Sequence, residues 1–287
     1  MCLPAVIFFI VFNYCPLPGV WIAFTSYNFR DGIFGSPFVG LSNFEFLISS
    51  GELWTLTKNT ILYNLVFILL GNVFQIVIAL MLNEIRSKFF KKVSQTIMFL
   101  PYFISAVLIG AIAFNILNYD TGALNALLRE TGADPIQIYS KAGLWPFIII
   151  FCNMWQQTGY GSVVYFAAIC GIDSSMAAEV DGATSWQRIR YIILPSLKGT
   201  FIILLLFALG GIMKGNFGLF WNLTGGANSQ LFPTTDIIET FVYRTMTTQN
   251  NFATSSAVGL YQSIFGFVLV MFSNWVVKRL DPDYALF

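Results

Sequence analysis

Apolar runs close to the ~20 residues needed to cross a ~30 Å hydrocarbon core recur along this chain, and few folds can absorb them. Inside a bilayer every backbone N–H and C=O must be satisfied within the protein, so runs of that length become helices. They lie roughly at Leu3 to Phe24, Ile61 to Leu82, Thr96 to Leu117, Pro146 to Ile169, Gly199 to Phe220 and Val258 to Val277. An all-α, polytopic membrane protein with about six transmembrane helices is expected. Composition excludes an ordinary soluble domain: 56% of the residues are hydrophobic, 10% are charged, and the mean hydropathy is +0.71. No repeat or linker divides the sequence, so residues 1–287 read as one transmembrane domain.

Orientation follows from the basic residues. Arg86, Lys88, Lys91 and Lys92 follow the second run, Arg188, Arg190 and Lys198 follow the fourth, and Lys278 and Arg279 follow the last. These connections mark the cytoplasmic side, which places both termini there. The opposite connections carry Arg30, Lys58, Arg129, Lys141 and Arg244 among Gly, Asn, Thr and Asp. No Lys or Arg precedes the first run, which leaves open a signal peptide or a missing basic leader. Its length and the lack of a small-residue cleavage site favour a true helix. On the outer side, Gly122 to Gly132 has apolar residues at helical spacing, and a short interfacial lid helix is expected there.

The formal net charge of +1 and the absence of a basic tract give no sign of a nucleic-acid partner. Cys2, Cys15, Cys152 and Cys170 match no metal or redox spacing and there is no histidine, so neither a metal site nor a structural disulfide is expected. No Gly-x-x-x-x-Gly-Lys-Ser/Thr phosphate loop occurs. Glu179 and Asp181 sit in a solvated connection with no cause for shifted pKa values, and no catalytic residue is assigned.

The connection after the fourth run, Met176-Ala-Ala-Glu-Val-Asp-Gly-Ala-Thr-Ser-Trp-Gln-Arg-Ile-Arg-Tyr-Ile-Ile-Leu-Pro195, is too ordered for a passive turn. Asp173, Ser174 and Ser175 offer N-caps for a short helix that Gly182 ends. Thr184-Ser-Trp-Gln187 then fits a capping box, with Trp186, Ile189 and Ile193 along one face and Pro195 leading into the fifth run. The small side chains of Ala177 and Ala178 allow close approach of a partner, and Met176 and Val180 add adaptable apolar contact.

This segment resembles the cytoplasmic loop of permease subunits of ATP-binding-cassette importers, whose pattern is Glu-Ala-Ala, three residues, Gly, and about a dozen residues to Leu-Pro. Ala177, Ala178, Asp181, Gly182, Ala183, Leu194 and Pro195 match, while Met176 stands where the family has glutamate. Phe34-Gly-Ser-Pro-Phe-Val-Gly-Leu-Ser-Asn-Phe44, Gly122-Ala-Leu-Asn125, Asp236-Ile-Ile-Glu-Thr-Phe-Val-Tyr-Arg244 and the ending Tyr284-Ala-Leu-Phe287 extend the likeness to the oligosaccharide and polysaccharide branch. The resemblance implies the type I importer permease fold and a multi-pass location in a bacterial or archaeal cell membrane. It also implies a second homologous permease, two ATPase subunits that carry the ATP and Mg, an extracytoplasmic solute-binding protein and a carbohydrate substrate. ATPase coupling would fall to residues 173–195, with Met176, Ala177, Ala178, Glu179, Asp181, Gly182, Ala183, Trp186 and Arg188 as the contact set.

A substrate pathway is sought where polar groups interrupt the runs. Asn153, Trp155, Gln156, Gln157 and Tyr160 combine amides with aromatic faces, as sugar sites do, and equally suit interhelical hydrogen bonding. Tyr261 and Gln262 in the last run carry the same two readings. The fifth run is purely apolar only from about Phe201 to Met213, so Lys214-Gly-Asn216 enters or borders the membrane; Lys214 lines a cavity or snorkels outward. A stand-alone secondary transporter or channel would need buried coupling carboxylates, and none is expected within the runs.

Overall fold

The longest element is α3 (Glu52–Glu84), 33 residues and thus roughly 50 Å at ~1.5 Å per residue. That exceeds the bilayer core, so the helix tilts or projects beyond it. The computed structural model describes residues 2–172 and 184–280, and among them regular structure is helical, apart from an isolated bridge between Thr25 and Phe38.

Ahead of α3 lie α1 (Leu3–Phe24) and α2 (Ser42–Ser49). Pro16 and Pro18 lack N–H donors, and α1 changes there from wide turns at Ile10–Tyr14 to tight ones at Leu17–Phe24. The Phe34 to Phe44 motif has a structural task. Asn43 Nδ2 donates to the carbonyls of Ala23 and Thr25 (2.9 and 3.1 Å), pinning the end of α1 against α2. Gly51 takes φ +74°, a left-handed turn that lets α3 start directly after α2.

The run expected as one helix from Thr96 to Leu117 is two helices: α4 (Lys88–Phe99), and α5 (Ala106–Leu117), bent by 91° across Leu100–Phe103. Pro101 interrupts the hydrogen-bond ladder and Ser105, as N-cap, accepts from Leu108 N–H, so the second helix starts afresh. The expected lid helix forms as α6 (Ala123–Glu130). Buried Asn125 anchors it, exchanging hydrogen bonds with the backbone of Ile136, while Arg129 donates to the Tyr119 and Asp120 carbonyls.

Helix α7 (Trp145–Cys170) packs along α3. Small residues let the backbones approach: a Cβ at Gly161 would fall 2.2 Å from Gln75 Cδ of α3, and one at Gly159 only 1.8 Å from the Met98 carbonyl oxygen of α4. Tyr165 donates to Asn72 Oδ1 across the α3–α7 contact.

The fifth run also differs from expectation. It comprises α8 (Lys198–Gly210), an irregular stretch over 211–216, and α9 (Phe217–Leu223), which packs on α5. Gly210, Gly211 and Gly215 weaken helix continuity there, and Asn216 restarts it by accepting from Leu219 N–H. The described residues end with α10 (Ile238–Thr247) and α11 (Phe252–Leu280).

Among the described residues, three helices are long and apolar enough to cross a bilayer, α1, α3 and α11, or up to five if α4–α5 and Ser185–Ser196 with α8 each form one bent span. The 26 residues of α7 include the polar Asn153 to Gln157 stretch, which lowers its hydropathy. The interior divides into a cluster around Trp145, Ile149 and Phe220, another around Leu56, Met213 and Ile238, and a third around Ala79, Tyr165 and Ile193.

Candidate functional site

Backbone carbonyls freed inside a bilayer need internal partners, and amide side chains supply them at both broken runs. At the α4–α5 bend, Gln156 Nε2 donates to the Ile104 carbonyl (2.9 Å). Around 211–216, Asn64 Nδ2 donates to the carbonyls of Ile212 (2.9 Å) and Lys214 (3.1 Å), and Gln262 Nε2 to that of Met213 (2.6 Å). The Gly215 N–H donates to Glu239 Oε1 (2.7 Å), which also accepts from Gln262 Nε2 (2.7 Å). Glu239 Oε2 is buried with no hydrogen-bond partner. Asn64 lies roughly 18 Å along α3 from Glu52, and Gln262 roughly 15 Å along α11 from Phe252, at ~1.5 Å per residue. The break is therefore well inside the bundle.

Lys214 leaves this clamped backbone with its side chain exposed in the single chain, and Asn216 is committed as the cap of α9. Tyr261 contacts Thr57 of α3 through a 3.0 Å hydroxyl hydrogen bond. Thus Lys214, Asn216 and Gln262 gather at one break, with Tyr261 on the adjoining residue of α11. Gln156 and Tyr160 belong to the other break, Tyr160 stacking on Tyr102 at 4.3 Å. Trp155 is exposed in an apolar groove of about 460 Å³ between α5 and α7. Asn153 is buried and Gln157 half-buried on α7. The amide donors of Gln156 and Gln262 thus serve the protein's own carbonyls.

Two positions that hold the break escaped the sequence reading. Asn64 was visible only as a polar residue within an apolar run, and Glu239 lies outside the runs, where no carboxylate was expected to meet them. Glu239 was placed in a connection, yet α10 folds back against α11 and brings it to the level of Gln262.

A second cluster lies one helix segment away. Asp236 pairs with Arg244 through two hydrogen bonds (3.0 and 2.7 Å), Thr240 donates to Asp236 Oδ1, and the guanidinium lies 3.9 Å from the Phe232 ring centroid. The pair borders an open cavity of about 470 Å³, with Trp54, Lys58, Asn59 and Ser229 on its wall. Near the lid, burial and then neighbouring Cys152 push the Tyr139 hydroxyl up to about 12, so it stays protonated and donates to the Leu223 carbonyl.

At the far end of the bundle, Thr184 and Gln187 form the expected capping box and Arg188 pairs with Glu84 at the last turn of α3. Trp186 is exposed. Met176, Ala177, Ala178, Glu179, Asp181, Gly182 and Ala183 lie outside the described residues.

Spans broken around polar groups, with the freed backbone satisfied from neighbouring helices, define a membrane permease for a polar solute. Residues 71–285 match the family model described as "Binding-protein-dependent transport system inner membrane component", and the chain belongs to that family. It is 30% identical to Protein LplB of Bacillus subtilis (strain 168), over 98% of this chain and 88% of that protein. It is 32% identical to the polygalacturonan/rhamnogalacturonan transport system permease protein YteP of the same organism, over 99% and 88%. A chain of a bacterial ABC transporter involved in the import of the acidic polysaccharide alginate superposes with a TM-score of 0.86 at 32% identity, covering 98% of this chain and 94% of that one. That transporter has also been solved in complex with an alginate pentasaccharide-bound periplasmic protein. Family membership, and not the lack of buried carboxylates, decides against a stand-alone secondary transporter.

Proposed function

We propose that this chain is one of two homologous permease subunits of an ATP-driven importer of acidic oligosaccharides. It would span the membrane about six times with both termini cytoplasmic, receive cargo from an extracytoplasmic binding protein, and rest on two ATPase subunits that hold ATP and Mg. Relatives that import alginate and polygalacturonan or rhamnogalacturonan support the cargo class. Lys214 is the observation that carries the charge preference: a cation held at a helix break within the bundle suits a carboxylated sugar entering from water.

On this reading, closure of the ATPase pair pushes residues 173–195. Arg188 passes the push to Glu84, and α3 is a continuous helix from there to Asn64, which holds the carbonyls on either side of Met213. Motion at the loop therefore reaches the break along one rigid element. The test is uptake of labelled oligogalacturonate by the assembled importer in vesicles loaded with ATP. Lys214→Gln should reduce uptake of the anionic sugar about tenfold, the worth of one charge-assisted contact, and spare a neutral oligosaccharide of equal length. Equal uptake of both sugars by wild type and variant would sink the charge assignment.

A further inference from the structure

Glu239 enters the motifs above only as the fourth residue of Asp236 to Arg244, and it makes no ion pair with Arg244 in that motif, whose partner is Asp236. Its carboxylate faces the break instead. Oε1 takes the Gly215 N–H and the Gln262 amide, and Gln262 in turn holds the Met213 carbonyl. Asn64 donates from α3 to the Ile212 and Lys214 carbonyls. Lys214 is thus the residue whose peptide groups are gripped from α3, α10 and α11 while its side chain stays exposed.

Gly215 fits the same arrangement. A Cβ there would stand 2.4 Å from Ile237 Cδ1 and 2.8 Å from Glu239 Oε2, so any larger residue at 215 would push these two side chains aside. Without a carboxylate at 239, the Gly215 N–H and one Gln262 partner are lost together, both at part-buried positions. The stretch would then rotate to find other acceptors, and the Lys214 side chain would turn with it.

We propose that Glu239 is a positioning residue, which clamps residues 211–216 through Gly215 and Gln262 so that Lys214 points into the aqueous translocation path. The assignment rests on the reading of Lys214 as a cargo contact, and it extends that reading to a residue that never meets the sugar.

The test uses the complete importer in cell membranes, with the four native cysteines replaced and Lys214→Cys introduced. A membrane-impermeant, cationic thiosulfonate reports the side chain's access to water. Glu239→Ala should slow labelling at position 214 about tenfold, the population shift for about 1.4 kcal/mol. Glu239→Gln, which keeps the acceptor oxygen, should restore most of the rate. Thr131→Cys, at the C-terminal end of the lid helix, should label equally in all backgrounds, which separates positioning from general unfolding.

Equal labelling at 214 with and without Glu239→Ala would overturn the clamp, as would a Lys214→Cys that labels from neither side. Uptake adds a cycle: Glu239→Ala should lower anionic-sugar uptake in the parent but add nothing further to Lys214→Gln, whereas additive losses would count against the proposal. If Lys214→Gln alone leaves uptake untouched, the cargo reading fails, and the labelling result still decides the clamp.

Discussion

Removing one member of the Asp236–Arg244 pair should already incur most of the cost of removing both. The two side chains are only 8% and 10% exposed, and they share two hydrogen bonds of 3.0 and 2.7 Å. Arg244→Ala strands a carboxylate that keeps Thr240 as its one side-chain donor, and Asp236→Ala strands a guanidinium between two phenyl rings. Breaking a buried pair in this way costs about 3–5 kcal/mol per single substitution. Losing the guanidinium from the face of Phe232 adds about 0.5–2 kcal/mol to Arg244→Ala. In the double variant no charge is left unpaired, so its cost should fall below the sum of the singles by about 2–3 kcal/mol. Reversible unfolding of the purified chain in mixed micelles, across the full double-mutant cycle, measures this. Additivity within about 0.5 kcal/mol would refute the claim that the pair is desolvated and mutually dependent.

Three further outcomes are expected. Arg188→Gln or Glu84→Gln should change stability by less than about 1 kcal/mol, because the pair is well exposed, yet impair ATP-driven uptake; the charge swap Glu84→Arg with Arg188→Glu should recover uptake if the pair transmits motion. Gly159→Val should cost about 1–3 kcal/mol or more in thermal-unfolding measurements, since its side chain would meet the Met98 carbonyl, and unchanged stability would mean that α4 and α7 do not approach so closely. Gly182→Val should leave insertion and assembly intact but uncouple ATP hydrolysis from uptake; normal uptake would falsify a coupling role for residues 173–195.

Much of the architecture is legible without coordinates. Apolar length alone dictates helices, because a bilayer offers unpaired peptide groups nothing to bond to, and the basic connections suggest an orientation. The capping box at Thr184 and Gln187 and the lid helix at Ala123–Glu130 are equally local, set by residues a few positions apart. Chain-wide motifs sufficed to suggest the permease family, which the match over residues 71–285 establishes.

Tertiary structure alone decided where continuous runs break and which polar residues meet there. Pro101 and Ser105 hint at the α4–α5 bend, but that Gln156 on another helix answers the Ile104 carbonyl freed at the 91° turn is visible only in the tertiary structure. The stretch around Lys214 is held by Asn64, Glu239 and Gln262, residues separated along the chain by spans that must fold back before they touch. Hydropathy records how each segment meets its solvent; it holds no record of which distant side chain will answer an open carbonyl.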